Sequence, residues 1–388
     1  MAVLFNKLSS SLPHSTKTSL SSTHHPTLFT LLLRCSTAPN PSEPQVPDHH
    51  FMAEYLISSV GLTPDQATRA SKNLVQLQTR ERPDSVIRFL KEIGLDDAHV
   101  KSLISWHPRL LCASVEKTLE PRARELEKGG FSGAMLVQLL RSNPFALTLN
   151  GVLQRLNFWK EFIGGGEQSF LKVVKRNRML INYDIDKKII PNITILRNYG
   201  LSDKDIVSVM MRVNGFILRS PISIRRLVEE TEELGFPLPS GMFVQGLSVV
   251  AMIKRSTLEK KVEFFKSFGW SEEEIQSAFR KYPNILTLAE ENVRSKVEFL
   301  IGQVNCLPEY IISRPLLLAY SLQKRLLPRY HVLAILQSKG FQKNRNLYTV
   351  AGLPESSFVE KFILPYKSKV PDLEGSYVSA CAGMVPAS

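Results

Sequence analysis

The chain has 388 residues, 43% of them apolar, and carries 49 Lys and Arg against 36 Asp and Glu for a net charge of +13. That apolar fraction excludes a wholly disordered chain, and four cysteines (Cys35, Cys112, Cys306 and Cys381) without a C-x-x-C pair argue against a disulfide scaffold or a cysteine zinc site. No run of about 20 uncharged apolar residues offers a membrane span, and the basic excess favours an acidic partner, with nucleic acid the natural candidate.

Residues 1–42 contain nine Ser, six Thr, three basic residues (Lys7, Lys17 and Arg34) and no Asp or Glu. A Ser-rich, acid-poor leader of this kind predicts an organelle transit peptide. Arg34-Cys35-Ser36 resembles a mitochondrial cleavage region, so the expected compartment is the mitochondrion, with the chloroplast as the alternative. Residues 43–388 keep 46 basic against 36 acidic residues, a net +10, so the basic character belongs to the folded part. Residues 43–51, rich in Pro and His, read as a linker.

From there a repeat organises the chain. Glycines recur at Gly94, Gly130, Gly165, Gly200, Gly235, Gly269, Gly302 and Gly340, with gaps of 33 to 38 residues. Four units align without gaps. After the glycine comes a bulky apolar residue (Leu95, Phe131, Leu201, Trp270), then an N-cap type (Asp96, Ser132, Ser202, Ser271). Glycine in the left-handed conformation ends one helix, and the capping side chain starts the next. Ser271 and Glu274 have the spacing of a capping box.

The second helix of each unit carries apolar residues in i, i+3, i+4 phase: Val100, Leu103 and Ile104; Leu136, Leu139 and Leu140; Ile206, Val209 and Met210; Ile275, Ala278 and Phe279. Proline then stops it in three units (Pro108, Pro144, Pro283). An apolar pair follows (Leu110-Leu111, Ala146-Leu147, Phe216-Ile217, Ile285-Leu286), which predicts a short third segment packing back on the helices. The Gly165, Gly235, Gly302 and Gly340 units are less regular. The expected fold is all-α, a curved α-solenoid of either hand with seven to eight repeats over residues 52–350, and a C-terminal segment over 351–388 that is partly helical and then disordered.

Basic residues follow the same period, about 22–27 positions after each glycine. They are Arg155, Lys187 and Lys188, Arg225 and Arg226, Lys260 and Lys261, Arg294 and Lys296, and Lys324 and Arg325. Pro121, Pro191 and Pro328 lie just beyond some of these positions, as suits a helix's first turn. A repeated position in a solenoid becomes a line, so these residues are the expected phosphate contacts, aided by helix N-termini. A second basic set (Lys172, Lys175, Arg176, Arg178, Arg212, Lys254, Arg255, Arg280, Lys281) falls near second-helix ends, where cations are favoured in any case.

The unit G-apolar-[S/D], apolar helix, proline and apolar pair resembles the mTERF (mitochondrial transcription termination factor-like) family. The clearest stretches run from Phe89 to Leu111, Phe131 to Leu147 and Phe264 to Leu288, and Phe358-Val359-Glu360-Lys361-Phe362 with Pro365-Tyr366 resembles the end of plant members. The resemblance implies a superhelix of triple-helical repeats, organelle import, and binding of organellar DNA or RNA in transcription termination, transcription regulation or RNA processing such as intron splicing. The missing prolines at Met179, Asn214-Gly215 and the Gly235 unit depart from the pattern.

No enzyme motif emerges. Gly164-Gly165-Gly166 lacks the G-K-[ST] of a phosphate loop, and Asp184 with Asp186 suit helix capping better than a hard cation. No Ser or Cys with a paired base suggests a catalytic triad. The expectation is a monomer without catalytic residues, metal or cofactor, binding organellar nucleic acid and no membrane, with partners in the organellar expression machinery. The alternative is a protein-binding scaffold that does not touch nucleic acid.

Overall fold

The computed structural model describes residues 49–238 and 240–383, and the expected transit peptide lies outside them. Every regular element among the described residues is helical. A hairpin of two helices, His49–Val60 and Pro64–Ser71, precedes the repeats. Its first helix begins inside the stretch expected as a linker. Tyr55 on that helix is buried, and its hydroxyl donates to Asp84 at 2.6 Å, which ties the hairpin to the first repeat.

Eight units of two helices follow. The first and second helices are Glu81–Glu92 and Asp97–Trp106 in repeat 1, Glu120–Lys128 and Gly133–Ser142 in repeat 2, and Val152–Ile163 and Gly166–Arg176 in repeat 3. They are Ile190–Asn198 and Asp203–Arg212 in repeat 4, Pro221–Glu233 and Gly241–Met252 in repeat 5, and Arg255–Lys266 and Glu272–Lys281 in repeat 6. Repeat 7 has Glu290–Gly302 and Pro308–Ser313, and repeat 8 has Leu327–Ser338 and Leu347–Ala351. The C-terminal helices Glu355–Phe362 and Leu373–Cys381 close the stack.

The glycine logic holds in most repeats. Gly94, Gly130, Gly200, Gly235 and Gly340 have φ between 81° and 108°, and the residue after each donates its N–H back to the helix it leaves, as Leu95 does to Leu90 at 3.1 Å. It fails at Gly302, which is the last residue of its helix. There Asn305 takes the left-handed conformation instead, at φ 55°. Asp96, Ser202 and Ser271 cap as expected, the last in a full capping box, whereas the Ser132 side chain makes no cap bond.

Pro108, Pro144 and Pro283 each open a 3-10 segment, Pro108–Cys112, Pro144–Leu147 and Pro283–Thr287, and the apolar pairs within them are buried. Repeats 3, 4 and 7 form the same segment at Leu180–Asn182, Phe216–Leu218 and Pro315–Leu318. Proline is therefore sufficient but not necessary, and Gly215, at φ 68°, does the turning in repeat 4. Repeat 5 has neither proline nor segment. Its second helix is buried almost all round, and Gly246 is needed there because a Cβ would sit 2.9 Å from the Phe236 ring. Before the first helices of repeats 2, 4 and 8 the chain makes a wide π turn, at Val115–Leu119, Ile185–Ile189 and Leu322–Leu326. Pro121, Pro191 and Pro328 follow these turns. Proline lacks the N–H for the ordinary bond and crowds the carbonyl four residues back, so the turn widens.

A 3-10 segment leaves carbonyls without helical donors, and the first helix of the repeat supplies them. Asn192 Nδ2 donates to Ile217 and Arg219 oxygens at 2.8 Å each. Lys261 Nζ donates to Leu288 O at 2.6 Å, Lys296 Nζ to Leu318 O at 2.7 Å and Arg155 Nη1 to Ile181 O at 3.0 Å. In repeat 8 the fully buried Arg329 donates Nη1 to the Val350, Ala351 and Leu353 carbonyls and Nη2 to Glu355, which also accepts from Tyr377. This last cluster fastens the C-terminal helices over the final repeat.

A second set of bonds runs between repeats. Asn143 Nδ2 donates to Arg178 O, and Asn177 Nδ2 donates to Met210 O at 3.1 Å while its Oδ1 accepts from Gly215 N at 2.9 Å. Arg176 donates to Arg212 O at 2.7 Å, Arg219 to Ala251 O at 2.5 Å and Lys281 to Ser313 O at 3.1 Å. All of these cross the ends of second helices, which pack side by side from repeat 2 to repeat 7. Removing Asn177, which is 1% exposed, strands the Gly215 N–H and the Met210 carbonyl. Asn177→Ala should lower unfolding free energy by about 1–3 kcal/mol in a urea titration, from unmet buried hydrogen bonds; an unchanged midpoint would show that water replaces the side chain.

Candidate nucleic-acid interface

The sequence-predicted phosphate contacts divide into two groups. Lys187, Arg225, Arg226, Lys260, Arg294 and Lys324 are exposed, and Lys188 and Arg325 are half-buried. Lys261 and Lys296 are not available to a phosphate. They are 9% and 4% exposed, with their ammonium groups spent on the carbonyls of the short segments. Burial holds the Lys296 ammonium below the usual lysine range. Arg155 is half-buried and tied to Ile181 O in the same way. The periodicity that made these residues look like a binding row is, for these three, the periodicity of an internal brace.

Five of the six exposed members of this row have a carboxylate within about one turn in the sequence, and Lys324 is the exception. Arg226 lies 3.7 Å from Glu230. Asp186 precedes Lys187, Glu259 precedes Lys260, and Glu290 and Glu291 precede Arg294 by one turn or less. Arg294 and Arg325 also lean on aromatic rings, at 5.6 Å from Phe264 and 5.3 Å from Tyr320.

The second basic set has a cleaner setting. No Asp or Glu occurs in residues 98–115, 128–160, 168–183, 206–228, 234–258, 275–289 or 310–354. Each of these windows runs through the end of a second helix and, except in repeat 5, the short segment that follows it. Those from 128, 206, 234 and 310 also run into first helices, and residues 187–202, over the first helix of repeat 4, are likewise free of acids. The acids of the second helices sit in their first turns instead: Asp97, Glu167, Asp203, Asp205, Glu272, Glu273, Glu274 and Glu309. A helix of ten residues is about 15 Å long, further than the screening length of about 8 Å at physiological salt. The ends of the second helices therefore form an edge with basic side chains and no nearby carboxylate of their own helix. Exposed on it are Arg109, Arg141, Lys172, Lys175, Arg176, Arg178, Arg212, Lys254 and Lys281.

Side chains from distant repeats meet along this edge. A cleft of about 520 Å³ is lined by Arg176 of repeat 3, Met211 and Arg212 of repeat 4, Gln245, Ser248 and Met252 of repeat 5, and Asn284 of repeat 6. Four successive repeats thus contribute side chains to one cleft. Met252 is 50% exposed there, an apolar surface between cations. Near the other end of the edge, burial and Arg109 hold the His107 imidazole below its usual range, which favours the neutral ring. The signal that could have found this edge in the sequence is the set of acid-free windows, which a search for recurring basic residues does not weigh.

Among the described residues no cluster of three or more His, Cys, Asp or Glu could hold a metal ion, and no helix is long and apolar enough to cross a membrane. Asp184 accepts the Lys187 N–H at 2.8 Å, the capping role expected of it.

Comparison with known proteins matches the mTERF family over residues 87–237 and 241–358. The chain is also 22% identical over 285 residues to the chloroplastic transcription termination factor MTERF8 of Arabidopsis thaliana. That match covers 72% of this chain and 55% of the relative, so the chain spans about half of the relative's length.

Lys296→Ala should separate brace from binding row. It leaves the Leu318 carbonyl without its donor, so stability should fall by about 1–3 kcal/mol, while nucleic-acid affinity of the folded protein stays within about twofold of the parent, a difference under ~0.5 kcal/mol. A large affinity loss at unchanged stability would restore Lys296 to the binding row.

Proposed function

This chain belongs to the mTERF family, and we propose that it binds organellar nucleic acid along the second-helix edge of its repeats and so regulates organellar gene expression, at transcription or transcript processing. The observation that carries the reading is the acid-free basic edge formed by the second-helix ends of successive repeats. A polyanion is the ligand that such an edge attracts most strongly, since each phosphate neutralised releases condensed counterions. A phosphate backbone supplies charge along a line, as the edge does. Affinity then comes from phosphate contacts, and discrimination from whatever meets the bases. On this reading the protein acts by occupying or presenting its target, without catalysis.

Lys175, Arg212 and Lys254 test the edge, because their side chains are exposed and the backbone bonds across the repeats are made by neighbours. The triple reversal Lys175→Glu, Arg212→Glu and Lys254→Glu should weaken binding to duplex DNA or RNA by at least about tenfold. On duplex DNA the slope of log K against log salt should flatten by about 0.9 for each phosphate that is no longer neutralised. The parallel reversal of Lys187, Arg225 and Lys260 on the first-helix row should have a smaller effect. Equal affinity and slope in the first triple would overturn the edge, and a larger effect of the second would return the site to the first helices.

The compartment is a separate matter. The relative's name states a chloroplastic protein, and the Ser- and Thr-rich leader is acid-free as transit peptides are. We therefore propose the chloroplast over the mitochondrion that Arg34-Cys35-Ser36 suggests. A fluorescent fusion of the whole chain in plant protoplasts should coincide with chlorophyll, and deletion of 1–42 should leave it in the cytosol. A mitochondrial signal would reverse the choice.

A further inference from the structure

Trp106 ends the second helix of repeat 1 and is 38% exposed, whereas Trp159 and Trp270, the other tryptophans of the chain, are 0% and 3% exposed. The Arg178 guanidinium, from repeat 3, lies 5.4 Å over the Trp106 ring. Between them repeat 2 contributes Phe145, whose ring meets Trp106 edge-on at 5.6 Å and His107 at 4.3 Å. One buried residue positions two members of this group. Asn143 is 0% exposed, donates to the Arg178 carbonyl and accepts the Phe145 N–H at 3.1 Å.

The group has the chemistry of a stacking surface. Its indole and guanidinium planes are pre-arranged by three repeats, so little is lost in ordering them. A guanidinium over a ring keeps its edge N–H groups for a phosphate or a base oxygen. No carboxylate belongs to it, and exposed Arg109 and Arg141 lie on the same edge. A base inside a duplex has both faces covered by its neighbours. An unpaired base offers a free face, and such faces stack on aromatic side chains and on guanidinium planes.

We propose that Trp106 and Arg178 form a stacking platform for an unpaired nucleobase, so that the protein takes a single-stranded segment at its first three repeats. This rests on the nucleic-acid reading above and adds to it a preference for strand state. A peptide would need a different complement, since an acid-free edge of arginines selects for negative charge.

Trp106 is its own reporter, because the other two indoles are shielded. The full chain is titrated with single-stranded oligouridylate and, separately, with a blunt DNA duplex, while tryptophan emission and probe anisotropy are followed together. The single strand should quench the emission and the duplex should bind without quenching. Trp106→Leu should abolish the quench and weaken single-strand affinity by about tenfold, leaving duplex affinity within about twofold of the parent. Arg178→Lys, which keeps the charge and loses the plane, should weaken the single strand more than the duplex. If Trp106→Leu loses helicity by circular dichroism, Arg178→Ala takes its place, with about a tenfold loss for the single strand and a smaller loss for the duplex, since Arg178 is also one cation of the basic edge. Duplex binding that is salt-dependent, with no quench by the single strand or an equal quench by both probes, would overturn the platform and leave the proposed function standing. Failure of both probes to bind would overturn the two together.

Discussion

The short turn that follows most second helices is the element on which the stack depends. It is three to five residues long where it forms, and it places an apolar pair such as Leu110-Leu111 or Ile285-Leu286 in the core. Those side chains are 0–3% exposed, so the backbone that carries them is drawn inward too. A turn that short cannot satisfy its own last carbonyls, and a buried unpaired carbonyl costs about as much as a lost hydrogen bond. The polar side chain reaching across from the first helix meets that need. Asn192, Lys261, Lys296 and Arg329 are the residues that do it, all buried and all bonded to carbonyls. The chemistry of the donor varies, from amide to ammonium to guanidinium, while the task stays the same.

Using a cation for that task has a cost and a consequence. A buried ammonium loses hydration that carbonyl bonds restore only in part, which is why Lys296 holds its proton less tightly than an exposed lysine. The consequence is that part of the chain's positive charge is structural. Surface charge that can attract a ligand is what remains after the braces are subtracted, and it lies more on the second-helix ends than on the first-helix starts.

The edge of the second helices is also crossed by side-chain hydrogen bonds from one repeat to the next, those of Asn143, Asn177, Arg176, Arg219 and Lys281. The same bonds that fix the spacing of the repeats therefore fix the spacing of the cations beside them. A contact between Trp106 and Arg178 joins repeat 1 to repeat 3, and the cleft spans repeats 3 to 6. A ligand that follows this edge meets a surface already arranged, so little conformational entropy is spent on binding.

Much of this was written in the sequence. Glycine spacing, caps, the i, i+3, i+4 faces and the prolines at Pro108, Pro144 and Pro283 determined an all-helical repeat, because each is a local property of the backbone or of one amphipathic face. The sequence also held the family, which is carried by those same local signals. It did not separate Lys260 from Lys261, neighbours of equal charge of which one is exposed and the other buried, since a helix turns about 100° per residue and only the packing of the next segment says which side is inside. Nor did it show that Asn305 rather than Gly302 would turn the chain in repeat 7, where Gly302 stays within the helix. What only the tertiary structure decided is which cations are braces, which are surface, and that residues as far apart as Trp106 and Arg178 share one site. Those facts depend on the angle between successive repeats, and that angle is set by the summed packing and hydrogen bonding of many residues at once, a quantity that no single repeat contains.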